Sequence, residues 1–133
     1  SIPNNSETII NFETKEFDSH GAVTTGAAWK FTAPISGTYE ISAMVEFNSG
    51  GGWAVAEEAF LVVAKNGGNV ARLVGYIANA AHSTYVALST SPRQIKLVAG
   101  DYINLKVFQN SGAALGLLNA ASTNWISIKR IGN

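Results

Sequence analysis

The sequence predicts an all-β fold, a sandwich or barrel of short antiparallel strands, on three observations. Apolar residues alternate with polar ones at period two in the clearest segments, turn residues recur between those segments, and no stretch carries apolar residues at a helical period. At 133 residues and 47% hydrophobic content, the chain has material for one core spanning 1–133 and no room for a second domain.

Taken in chain order, weaker strand patterns lie near 8–12 and 22–33. The strongest is Gly37 to Phe47, where Tyr39, Ile41, Ala43, Val45 and Phe47 alternate with mostly polar neighbours, as a strand with one wet face requires. Gly50-Gly51-Gly52 marks a loop tip. A strand over 54–65 contains the longest clean apolar run, Ala59 to Ala64, far short of the roughly 20 residues that a spanning helix needs. Asn66-Gly67-Gly68-Asn69 then supplies the positive φ angles of a hairpin turn into a strand at 69–78. Further strands are expected near 83–90 and 93–98. From Asp101 to Gln109, after the Ala99-Gly100-Asp101 turn, Ile103, Leu105 and Val107 share one side. The stretch 112–121 holds helix formers broken by glycine and is read as another strand. The β-branched run from Trp125 to Ile131 closes the sheet.

Charge excludes several functions. Nine Lys plus Arg balance nine Asp plus Glu, so no net field holds a polyanion, and nucleic acid is not the expected partner. The balance hides an asymmetry: residues 1–66 carry eight acids against three bases, and residues 67–133 carry one acid, Asp101, against six bases. A fold that interleaves its halves cancels this locally; complementary charge between subunits is the alternative. With no cysteine, disulfides, thiolate nucleophiles and zinc-thiolate sites are excluded.

Catalytic patterns are missing. The sequence has no Gly-x-Ser-x-Gly elbow, no Walker loop and no His-Glu-x-x-His, and neither metal nor cofactor is expected. Asp18-Ser19-His20 puts a carboxylate and an imidazole on one side of an extended segment, but no third group joins them, and His82 reads as an exposed loop residue. Glu57 and Glu58, as neighbours on a strand, face opposite ways and cannot share one site, as the paired carboxylates of a glycoside hydrolase must, unless the backbone bulges there. Asn4-Asn5-Ser6 fits a glycosylation pattern too short to carry weight. Trp29 and Trp125 fall in strand patterns, where a large ring packs in a core. Trp53 stands on the glycine-rich tip instead, and with Tyr76 and Tyr85 it makes the candidate set for ligand recognition, since exposed aromatics stack on sugars and anchor protein contacts.

From Trp29 to Ser42 the order aromatic, Phe-Thr-Ala-Pro, Gly-Thr-Tyr and alternating strand resembles the C1q-like globular head, a relative of the tumour necrosis factor fold. Ile10-Asn11-Phe12, Lys65-Asn66-Gly67, Leu97 to Ile103 and Trp125 to Ile128 extend the resemblance over nearly the whole chain. It implies a ten-stranded antiparallel jelly roll, assembled as a homotrimer, that binds and does not catalyse. Phe60 to Val63 and Leu115 to Leu118 lack a polar alternate face, so another subunit is expected to cover them, with Phe60, Val62, Leu115 and Leu117 as the candidate trimer interface. The chain has no collagen-like stalk and no acidic cluster matching the calcium site of some members. Low charge and abundant Ala, Asn, Gly and Ser resemble instead the heads on bacteriophage fibres and bacterial surface proteins. That likeness implies a virion-surface or extracellular head that contacts a host receptor or glycan and other virion proteins, without membrane insertion. The alternative is a structural trimerisation knob or capsid decoration protein with no ligand of its own.

Overall fold

The computed structural model describes residues 1–48 and 52–133; the expected glycine tip at Gly50 and Gly51 lies outside the described residues. Among the described residues there are ten strands and no helix: β1 Thr8–Ile9, β2 Val23–Thr24, β3 Lys30–Thr32, β4 Gly37–Phe47, β5 Glu58–Lys65, β6 Gly68–Ile77, β7 Val86–Ser89, β8 Arg93–Leu97, β9 Tyr102–Gln109 and β10 Trp125–Gly132. All the strand pairings are antiparallel. One sheet runs β2-β3-β9-β5-β6, with β1 also on β9; the other runs β10-β4-β7, with β8 on β4 as well.

β4 organises the second sheet. Met44 to Phe47 pair with β7 and Gly37 to Ile41 with β8, so two short strands share one edge, and Thr90 closes the gap by bonding both the N–H and the C=O of Ala43. The alternation read from the sequence is the one observed: Tyr39, Ile41, Ala43, Val45 and Phe47 are buried and the residues between them half-buried. They meet Leu61 and Val63 of β5 and Ile103, Leu105 and Val107 of β9 in one core between the sheets. The β5–β6 hairpin turns at Asn66 and Gly67, both at positive φ, as the Asn-Gly pair demands.

Three expected strands are shorter or broken. The segment 22–33 divides into β2 and β3 around Gly26, whose φ of 106° only glycine adopts without strain. β5 begins at Glu58, not at 54, because Ala54 to Glu57 form a turn with Ala56 at φ 70°. The stretch 112–121 is not a strand. Leu115 and Leu117 make single bridges, to Ile2 and Phe47, within an otherwise irregular segment that Gly112 opens at positive φ.

β5 already has a cover within the single chain. Ala59, Leu61 and Val63 enter the core, while Phe60 and Val62 point to the outer face and still keep only 8% and 6% exposure in the isolated chain. The cover is intramolecular. Phe60 stacks on Phe108 at 4.6 Å between centroids, and the Arg72 guanidinium lies 3.6 Å above its ring. Val62 pairs with Arg72 on one side and Lys106 on the other, whose long aliphatic stems flank it. Leu115, at 2% exposure, is covered by the chain's own Ile2; Leu117 is half-buried against Phe47.

The charge asymmetry cancels locally. Lys65–Asp101, Arg72–Glu58, Lys106–Glu7 and Lys129–Glu40 each join the first half of the chain to the second. Asp101 also fastens one end of the sandwich, accepting bonds from Lys65, from the Asn66 amide and from the Val98 N–H. These donors, Lys65 foremost, lower its pKa to about 2. Asp18 is lowered likewise, first by the Ala22 N–H, so it holds backbone and does not pair with His20, whose ring faces the Ser19 hydroxyl.

Candidate functional site

The end of the sandwich opposite Asp101 is where β4, β6 and β9 finish and β5, β7 and β10 begin. It gathers Trp53, Tyr76 and Tyr85, but not as three exposed rings. Trp53 is only 3% exposed. Its ring packs edge-on against Phe47 and Tyr76, each at 5.7 Å, so the expected free indole on a glycine tip is instead the cap of the core. Tyr76 is half-buried, and its hydroxyl shares a hydrogen bond with Nε2 of His82. Tyr85, with 55% of its surface exposed just before β7, is the ring of the three that solvent reaches freely.

His82 is the residue that sequence reasoning underrates. Its backbone forms a two-way bridge with Trp53, at 2.6 and 2.9 Å, and its Nδ1 meets the Thr84 hydroxyl at 3.0 Å. One side chain and one bridge therefore tie the loop before β7 to the Trp53 segment and to the end of β6. No local signal could have shown this, because Trp53 and His82 meet only through the sheet.

Between these loops lies a shallow depression of about 490 Å³ lined by Trp53, Glu57, His82, Ser83 and Ser111, among others. Its walls are held from behind. Glu57 closes its own turn, its Oε2 accepting the Ala54 N–H at 2.6 Å while its backbone carbonyl accepts the Ala78 N–H at 2.8 Å. The Ser111 wall is pinned by Gln109, a fully buried amide that donates to Ile2 and Ala113 carbonyls and accepts from the Ser111 N–H and hydroxyl. Such fixed walls reduce the entropy lost when a ligand binds. Glu58 pairs with Arg72 and takes no part in lining the depression. Among the described residues, no group of three or more His, Cys, Asp or Glu is placed to hold a metal.

The two antiparallel sheets and their ten strands define a jelly roll of the tumour necrosis factor type. No protein-family model matches the sequence, and no curated protein matches it. Solved structures do match in fold. The crystal structure of murine APRIL at pH 8.0 superposes with a TM-score of 0.67 at 16% identity, covering 98% of this chain and 90% of that one. The murine APRIL structure at pH 8.5 gives a TM-score of 0.64 at 16% identity over 98% of this chain and 94% of that one. At such identity the likeness carries the fold.

Proposed function

We propose that this chain is a non-catalytic binding head, working as a homotrimer on a phage fibre or similar virion appendage and recognising a host cell-surface receptor or glycan. The observation that carries the reading is the end bearing the rigid-walled depression with the exposed Tyr85 ring beside it. Tyr85 presents a stacking face, and the depression presents the exposed Ser83 and one carboxylate, that of Glu57. Tyr76 acts behind them by fixing His82. Low charge and the virion-type composition support the appendage setting. Weak contacts suffice there, because three heads raise avidity through effective concentration.

A second candidate contact for the homotrimer lies away from β5. On the solvent face of the β10-β4-β7 sheet, Trp125 pairs with Met44, and Met44 with Ser89, giving a flat row of an exposed aromatic, a thioether and small residues. In the single chain Trp125 on this face is more exposed than Phe60 or Leu115. The test of function is competition: purified head should block attachment of the parent particle to host cells, and Tyr85→Ala should weaken that block at least tenfold. A head that never competes, while its removal abolishes particle assembly, would favour the structural knob.

A further inference from the structure

The geometry points to a subsite for a neutral, hydroxyl-rich ligand, a sugar ring, with Glu57 Oε1 as the acceptor that orients it. This rests on the binding-head reading above and gives it a ligand class and an anchoring residue.

The argument starts from how Glu57 is held. One oxygen, Oε2, accepts the Ala54 N–H at 2.6 Å, and the backbone of the same residue bonds Ala54 and Ala78, which together hold the carboxylate in this position. The other oxygen, Oε1, has no hydrogen-bond or ion-pair partner among the described residues, although the residue is half-buried and lines the depression. A half-buried carboxylate oxygen gains from O–H or N–H donors. Gly112, at φ +85°, lies beside it, where an added Cβ would stand in van der Waals contact with Oε1 at 3.9 Å. Gly112 is itself fixed by its N–H bond to the Asn4 side chain at 2.9 Å.

The lining selects the ligand. It holds no Lys or Arg, so an anion finds no counter-charge and meets Glu57 as a repulsion. A hard cation finds a single carboxylate where it needs six or more oxygens. A neutral ring with adjacent hydroxyls can donate to Oε1 and exchange bonds with the exposed Ser83 beside the His82 backbone. The volume of about 490 Å³ lies within the range of small-molecule sites, roughly 300–1,000 Å³. Trp53 offers no free face, so recognition here depends on hydroxyl donation, with stacking left to Tyr85.

The experiment is a titration of the ¹⁵N-labelled whole chain with galactose, glucose and N-acetylglucosamine, each alone, following the amides of Ala54, Glu57, Ser83 and Gly112. Saturable shifts confined to that end are expected with at least one sugar. Glu57→Gln keeps the Ala54 bond through its amide oxygen but turns an N–H₂ donor toward the ligand, and should weaken binding about tenfold. Ser83→Trp, at an exposed position on a different loop from the Glu57 turn, should block the depression in a chain that melts like the parent, so the proposal stays testable even where Glu57→Gln unfolds. Unsaturable or scattered shifts with all three sugars, shifts indifferent to both variants, or saturation by ammonium in their place would overturn it. Host-cell competition lost in Tyr85→Ala but retained in Glu57→Gln would refute this subsite and leave the binding head standing; competition absent from the parent head would refute the binding head itself.

Discussion

Replacing Trp53 and replacing Tyr85 by alanine should have opposite consequences, although the sequence groups the two. Trp53 caps the core between Phe47 and Tyr76, so its removal leaves a cavity costing about 3–5 kcal/mol, measurable as a lowered urea midpoint. Tyr85→Ala should stay within about 0.5 kcal/mol of the parent and lose attachment instead. The sequence could not separate them, because exposure at Trp53 is decided by the His82 loop, 29 positions further along the chain, and by strand ends that no local window contains. Glu57 was illegible for a related reason: strand parity was applied to a pair of which only Glu58 is in a strand. Asp101 makes a further prediction at this scale. Its carboxyl titrates near 3.8 when free of its partners and at about 2 in the fold, so its contribution is complete above pH 3.8 and disappears as the pH falls through about 2. Acid unfolding followed by tryptophan fluorescence should show that limb, and Asp101→Asn should flatten it.

Among the elements, those that carry their own pattern were readable and those defined by distant partners were not. β4 and β9 are legible because alternate residues face one core for eleven and eight positions. The β5–β6 hairpin is legible because its turn chemistry is local. β5 misled, since an apolar run on two faces suggests an external cover, whereas long cationic side chains from β6 and β9 supply one. The segment 112–121 misled because its shape is imposed by Ile2, Asn48 and Phe47. Gly37 begins β4 with a requirement visible only in the assembled sheet: a Cβ there would overlap the carbonyl oxygen of Gly132 and the Arg130 side chain. Gly37→Ala should therefore lower stability by about 1–3 kcal/mol in thermal melts, more than Gly132→Ala, where the space is open.

For the whole molecule, the expected solution mass is that of three protomers by light scattering, and Met44→Asp with Trp125→Asp should reduce it to one without loss of the β signal in circular dichroism. The ion pairs satisfied within the single chain argue against charge as the glue, so the mass should hardly respond to added salt. The position of β4 reaches beyond the finished molecule. This eleven-residue strand leaves the ribosome before the strands on its two edges, β7 with β8 and later β10, all of which follow it in the chain. Until then a long apolar strand stands with unfilled backbone edges, open to the same strand of a neighbouring nascent chain. Expression should therefore be governed less by the stability of the product than by how long β4 waits for β10, and slow or cool synthesis alone will not shorten that wait.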